Sequence, residues 1–241
     1  MAIDKCLSIR QFDVKIAFLF APLDEDLYIK TPEGCQRPTP FLKLRKSLYG
    51  LKQAPANWYN TLTKWFQEIN YNQSTSDPCL YIHQDNDSFI FFHVDDLVIV
   101  GKTELFEDLF LNRFPDSTAH TPDTLLGMSV TVNSDSITLS QKGLIKKGLE
   151  LLNLEECCPL KTPLTPSVQL RQANQDEIDE FNSLNIKYRS FTGILNYLAC
   201  RTRPDLAPAV SLLSRYNDKY GINHWREVLH FWKYLKGTMN Q

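Results

Sequence analysis

Three aspartates offer this sequence its clearest chemistry. Asp95 and Asp96 stand side by side in FIFFHVDDLVIVG, from Phe89 to Gly101, between two β-prone apolar runs. Asp13 lies inside another apolar run, SIRQFDVKIAFLF. An acid in the middle of a would-be buried strand is costly unless a cation or a donor meets it. Hard divalent ions such as magnesium prefer oxygen ligands and keep several waters, so two or three carboxylates plus substrate phosphates make a complete site. Two ions about 3.5–4 Å apart can activate an attacking oxygen and stabilise a leaving one in phosphoryl transfer. Without metal the same cluster is repulsive, and at least one pKa rises. The competing reading of Asp95 and Asp96 is a plain turn, because aspartate bonds its own backbone there. The pair alone leaves both readings open, and Asp13 is what favours a site.

Other familiar sites are absent from the sequence. It has no Gly-x-Gly-x-x-Gly, no Walker-type glycine loop, no Gly-x-Ser-x-Gly and no His-Glu-x-x-His. The five histidines are dispersed, and the six cysteines lack Cys-x-x-Cys spacing, which points to reduced thiols in an intracellular protein and away from zinc. A chain of 241 residues, 43% hydrophobic and 22% charged, fits one large domain, or a main domain with an appendage. No run of about eighteen apolar residues suggests a membrane span. The formal net charge is −2, but the charges are segregated. Arg37, Lys43, Arg45, Lys46, Lys52 and Lys64 occur between Cys35 and Gln67 without an acid, NQDEIDEF is acidic, and the segment from Asn185 onward is basic again. Such segregation fits a surface facing a polyanion, and equally an ordinary solvated helix face.

The elements that must position these acids follow from periodicity. Residues 7 to 20 read as a strand running into a turn, and LDEDLYIKTPEG as a short strand. Ala54-Pro55 opens a helix that turns Trp58, Leu62, Trp65 and Ile69 to the core, with simple packing as the role of the tryptophans. CLYIHQDNDSFIFFHVDD reads as strand, turn, strand, with Asp95 and Asp96 at or beside the next turn. Thr103 is expected to cap a helix with Leu105, Leu109 and Phe110 inward. A second hairpin turns at Asn133, Ser134 and Asp135, and a helix with Ile145, Leu149 and Leu152 inward follows, weakened by two glycines. The proline-rich stretch from Cys158 reads as a linker. Three helices then place Phe191, Ile194, Leu195 and Leu198, then Leu206, Val210 and Leu213, then Trp225, Leu229, Trp232 and Leu235 on their inner faces. Asp205 and Asn223 are the expected caps of the last two, and Gly237 the end of the third. The fold class is therefore α+β, a mixed body followed by a helical region.

In chain order, FDVKIAFL, LYIKTPEG, SLYGLKQAPANWY, DPCLYI, HVDDLVIVG, LLGMSV, YRSFTGILNYL, TRPDLAPAV and HWREVLHFWKYLKGT resemble the reverse transcriptase of copia-type LTR retrotransposons. The likeness covers nearly the whole chain, and SLYGLKQAP together with VDD is its most specific part. It implies a right-hand polymerase palm, an antiparallel sheet backed by helices. Residues 1–139 would form the palm with partial fingers, 140–160 a thumb-like helix, 161–184 a linker and 185–241 a helical thumb or connection region.

By the same resemblance, Asp13 and Asp95 would bind magnesium, or manganese in its place, with Asp96 supporting them. The reaction would be attack of a primer 3′-hydroxyl on a deoxynucleoside triphosphate, directed by an RNA or DNA template. Phe18 would lie under the incoming sugar and leave no room for a 2′-hydroxyl. Gly50, Gln53 and Pro55 would contact the nucleotide, and Leu126, Gly127 and Met128 would grip the primer terminus. Lys43, Arg45, Lys46 and Lys52 would meet phosphates, which position a strand without reading it.

His93 departs from the family pattern, which has an aromatic residue before Val-Asp-Asp. Only twelve residues precede Asp13, so the fingers, with the cations that clamp the triphosphate, are expected upstream, and the RNase H segment downstream, on other parts of a polyprotein. The isolated chain is accordingly expected to extend primers weakly or not at all. Two alternatives stand beside the enzyme: an inactive retrotransposon remnant that at most binds nucleic acid, and an unrelated interaction domain in which Asp13 lies far from the aspartate pair.

Overall fold

A computed structural model describes residue 3 and residues 5–240. The chain divides into two compact units, one of residues 1–126 and 131–137, the other of residues 127–130 and 138–241. Each is described by itself.

The first unit is built on a six-stranded antiparallel sheet. In chain order its strands are β1 (Ser8–Val14), β4 (Tyr71–Gln73), β5 (Leu80–His83), β6 (Phe89–His93), β7 (Asp96–Gly101) and β8 (Ser117–His120), arranged in space as β4-β5-β6-β7-β1-β8. The first strand in sequence thus lies inside the sheet, between β7 and β8. Alternation assigns its faces: Phe12 and Val14 of β1, Ile90 and Phe92 of β6, and Leu97 and Ile99 of β7 are all buried. Two helices cover that face, α1 (Ala54–Glu68) and α2 (Thr103–Arg113). Pro55 in the first turn of α1 suits a position that needs no hydrogen-bond donor. Asn70, at φ 66°, lets the chain leave just past its end.

Trp58, Leu62, Trp65 and Phe66 of α1 are buried, while Ile69 is only partly covered. In α2 the inward stripe is Phe106 and Phe110, with Leu105 and Leu109 64% and 41% exposed, so the expected register was one step off for the leucines. The larger rings take the core because they join an aromatic stack with Phe12, Trp65 and Phe114. Thr103 is the first residue of α2 and itself buried, so it does not cap; Lys102 occupies that position without a capping side chain.

Beyond the sheet, a 3-10 turn (Ala17–Phe20) follows β1. A two-stranded hairpin of β2 (Tyr28–Lys30) and β3 (Phe41–Lys43) stands between that turn and α1. Strands β9 (Thr124–Leu125), β10 (Met128–Val132) and β11 (Ile137–Ser140) form a three-stranded sheet, and the turn after β10 contains Asn133, Ser134 and Asp135 as expected.

The second unit is helical, with α3 (Lys142–Leu151), α4 (Gln175–Ser183), α5 (Tyr188–Arg201), α6 (Ala207–Ser214) and α7 (Ile222–Gly237). Ile145 and Leu149 of α3 pack with Leu195, Leu198, Leu206, Val210, Leu213, Trp225, Trp232 and Leu235. Residues 161–184, read as a linker, hold α4, whose Asn174 and Glu177 form a reciprocal capping box and whose Phe181 enters this core. Asp205 does not cap α6. It forms a two-pronged pair with the buried guanidinium of Arg203, at 2.9 and 2.8 Å, and Arg203 also donates to the carbonyl and hydroxyl of Thr238. The hydrogen bond from Arg203 holds the Asp205 carboxyl below its usual pKa. Asn223 lies within the first turn of α7, where Gly221 holds the cap position.

The two glycines of α3 differ in purpose. Gly148 lies where the indole of Trp232 from α7 closes on the helix, and a Cβ there would fall inside the ring. Alanine at 148 improves helix propensity by about 1 kcal/mol but overpacks the contact by about 1–3 kcal/mol. Gly148→Ala is therefore expected to lower the urea midpoint of the second unit's transition, with Gly143→Ala, which meets nothing within 4 Å, leaving it unchanged or raised. Equal midpoints for the two variants would contradict this packing.

Candidate functional site

The acids meet at one end of the sheet. Cross-strand pairing sets Asp13 directly opposite Asp96, and Asp96 directly opposite His93. On its other side Asp13 pairs with Thr118. Residues directly opposite in an antiparallel pair share a face with Cβ atoms about 4.5–5.5 Å apart. His93, Asp96, Asp13 and Thr118 therefore form a row across the face away from α1 and α2. Asp95 sits in the two-residue turn between β6 and β7, and the charges of both Asp13 and Asp96 act on its carboxyl.

That turn is held from beneath. Val94, the first residue of the turn, carries φ 54°. A β-branched residue rarely occupies that region, at a cost of about 1–3 kcal/mol that surrounding structure must offset. Two buried donors do so. The indole Nε1 of Trp58 donates to the Val94 carbonyl at 2.7 Å, and the backbone N–H of Val14 donates to the Asp95 carbonyl at 3.1 Å. Trp58 is 1% exposed, so its bond is shielded from water. Reading the tryptophans as packing alone missed this role; nothing in helical spacing distinguishes an indole that packs from one that also donates.

Asp95 is uncomfortable in this setting. Its Oδ1 is buried without a hydrogen-bond partner, and Oδ2 accepts a long bond, 3.4 Å, from the Tyr49 hydroxyl. Burial raises its pKa above the ordinary 3.8; the Tyr49 bond opposes the shift, and the charges of Asp13 and Asp96 add to it. The acids here offer hard carboxylate oxygens, and one of them is buried without a hydrogen-bond partner, which is the chemistry a divalent metal suits. Among the described residues, the trio whose ligand atoms all lie within 4.8 Å of one another is a different one, His83, Asp85 and Asp87. It sits at the opposite end of β6, where Lys102 already pairs with Asp87 and its hydrogen bond lowers that carboxyl's pKa.

Phe18 is buried in the 3-10 turn and lies under the ring of Tyr49, centroids 4.5 Å apart. Tyr49 thus links Phe18 to Asp95, and it is the site residue that the sequence contained within SLYGLKQAP but did not single out. Burial, then the charge of Asp95, raise the pKa of its hydroxyl. Gly50 has φ 96° with open space around its Cβ position, so the turn conformation demands glycine there. Gln53 precedes α1 and donates to Glu25 at 3.3 Å, while Pro55 and Lys52 are exposed at the helix start. Lys43, Arg45 and Lys46 line a cleft with Arg37 over Leu19, Leu42, Leu44 and Leu48. Lys43 is paired with Asp26 at 2.6 Å. Leu126 and Gly127 both carry positive φ, 50° and 73°, in the turn between β9 and β10, and Met128 after them is buried. His93 is exposed on the acid row.

Comparison with known proteins adds a family. The model of the reverse transcriptase (RNA-dependent DNA polymerase) family matches residues 1–166. The chain is 34% identical to the retrovirus-related Pol polyprotein from transposon TNT 1-94 of Nicotiana tabacum, over 96% of this chain and 18% of that protein. It is likewise 34% identical to the polyprotein from transposon RE1 of Arabidopsis thaliana, over 100% of this chain and 17% of the relative. A putative transposon Ty5-1 protein of Saccharomyces cerevisiae is 27% identical over 94% of this chain and 75% of its own length. The chain thus spans less than a fifth of the plant polyproteins it matches.

Two outcomes follow from this geometry. Trp58→Phe keeps the packing but strands the Val94 carbonyl, and is expected to cost about 1–3 kcal/mol in urea unfolding; an unchanged midpoint would remove the bond from the account. Because the folded pKa of Asp95 is raised, its favourable contribution is present at low pH and lost as pH rises from about 3.8 through the raised value. Asp95→Asn should therefore raise Tm at pH 7, by an increment that shrinks on acidification toward pH 4. A Tm gain independent of pH, or a loss, would contradict the assignment.

Proposed function

From the premise that this chain belongs to the reverse transcriptase family, as a segment of a retrotransposon Pol polyprotein, we propose that its acid row is the catalytic centre of an RNA-directed DNA polymerase palm. The observation that supports this reading is the pairing of Asp13 directly opposite Asp96 at the end of the sheet where the turn carries Asp95, one of whose carboxylate oxygens is buried without a hydrogen-bond partner. Asp13 and Asp95 would hold magnesium, with manganese as a substitute, and Asp96 would support them. The bound ions would supply Lewis-acid stabilisation of phosphoryl oxygens and lower the pKa of the primer 3′-hydroxyl.

The chain's own residues would do the rest. The pinned turn keeps Asp95 from retreating when its neighbours repel it. Phe18 would support the sugar of the incoming deoxynucleotide, once Tyr49 yields the space above it. Gly50, Gln53 and Pro55, at the start of α1, would border the nucleotide. Arg45, Lys46, Lys52 and Lys43 would run along template or primer phosphates, and Leu126, Gly127 and Met128 would bear on the primer end. Residues 1–139 would be palm with part of the fingers, 140–160 and 185–241 thumb and connection, with 161–184 between them. Template, primer and deoxynucleoside triphosphates are the partners this implies. No helix of the described chain is long and apolar enough to cross a membrane.

Manganese binding, followed by electron paramagnetic resonance on the full chain, tests the site without requiring turnover. The wild type is expected to bind, and Asp13→Asn and Asp95→Asn to lose at least tenfold in affinity while keeping their fold by circular dichroism. Any template-directed incorporation of a single deoxynucleotide should vanish in Asp95→Asn with duplex binding retained. Manganese affinity indifferent to both substitutions would overturn the proposal.

A further inference from the structure

The hairpin of β2 and β3 carries a face of unusual composition. Its register sets Tyr28 opposite Lys43 and Lys30 opposite Phe41, with Ile29 opposite Leu42 between them. Alternation therefore puts Tyr28, Lys30, Phe41 and Lys43 on one side, an aromatic ring diagonal to an aromatic ring and a lysine to a lysine. All four are exposed, Tyr28 and Phe41 by 60% and 55%, while Ile29 and Leu42 on the reverse are half-buried. The chain continues from β3 into the cleft lined by Arg37, Lys43, Arg45 and Lys46. Among the described residues, Arg37, Arg45 and Lys46 have no acid within ion-pair distance, so their charge is available.

Two large rings held open to water on a short hairpin contribute nothing to a core. Alternated with lysines and followed by unpaired cations, they match one ligand class closely. Single-stranded nucleic acid offers free base faces for rings and a phosphate string for cations. A duplex keeps its base faces stacked on one another. An apolar protein partner would ask for a continuous hydrophobic patch, and the aliphatic side chains of this hairpin lie on the other side. We propose that Tyr28 and Phe41 are a stacking platform for an unpaired strand, with Lys30 and the Arg37, Arg45 and Lys46 cleft taking its phosphates. Resting on the polymerase reading, that strand is template not yet copied.

The test compares three labelled probes by fluorescence anisotropy on the full chain: oligo(dT), a blunt duplex, and the same duplex with a 5′ template overhang. The overhang should tighten binding by wild type relative to the blunt end. Tyr28→Ala and Phe41→Ala should each weaken oligo(dT) binding about tenfold and erase the overhang advantage, with blunt-duplex affinity and salt dependence unchanged. Tyr28→Trp, which keeps a ring, should bind like wild type, and Arg45→Gln with Lys46→Gln should lower the salt slope. Alanine variants that hold single strands normally, or lose the blunt duplex equally, overturn the platform. So does a wild-type dimer in sedimentation that Tyr28→Ala dissociates, since the face would then belong to a second copy. If the wild type binds the blunt duplex with normal salt dependence and the alanine changes do nothing, only the platform fails. If it binds no probe, the polymerase reading fails with it.

Discussion

A hydrogen bond from one buried indole to one strained carbonyl holds the arrangement together. Val94 occupies backbone space that valine avoids, and it stays there because Trp58 from the covering helix and the backbone N–H of Val14 from the neighbouring strand satisfy the turn's two carbonyls. Without those donors the turn could relax and Asp95 could swing toward solvent, where its charge is better hydrated. Helix α1 is thus more than cover for the sheet. It carries SLYGLKQAP at its entrance and the pinning tryptophan one turn inside, so the same rigid element borders the site and stabilises it.

The cost of the site is visible in its electrostatics. Burial disfavours the ionised form of Asp95, the charges of Asp13 and Asp96 add to that, and the hydrogen bond from Tyr49 opposes it. A fold optimised for stability would place neutral side chains in that row. Elsewhere the protein treats charge differently: the buried guanidinium of Arg203 is matched by Asp205 and two acceptors of Thr238, so its burial is compensated. The helical unit thus compensates its buried charge, while in the sheet unit one oxygen of Asp95 stays buried without a hydrogen-bond partner, a contrast that the proposed metal-binding role accounts for.

Much of this was legible in the sequence, and the failures have physical causes. The β-prone apolar runs around Asp13 and Asp95, and the period-3.6 run after Pro55, carried enough signal to place the strands, the turn and α1. Leu105 and Leu109 misled because hydrophobicity scales do not say that neighbouring phenylalanines will claim the core. Thr103, Asp205 and Asn223 looked like caps because their types favour caps, whereas the surroundings decided: burial for Thr103, an arginine for Asp205, a glycine two residues earlier for Asn223. Gly148 read as a helix weakness and is a packing necessity. Tyr49 and the donor role of Trp58 were beyond reach, since both depend on residues more than thirty positions away. The convergence of Asp13 with Asp96 was an expectation drawn from family likeness, and it is the strand register that brings it about.

The most direct measurement of the central claim is anomalous diffraction from crystals of the full chain soaked in manganese. The account predicts anomalous density among the carboxylates of Asp13, Asp95 and Asp96, on the open face of the sheet. Density confined to His83, Asp85 and Asp87 at the far end of β6, with none at the aspartate row, would contradict it.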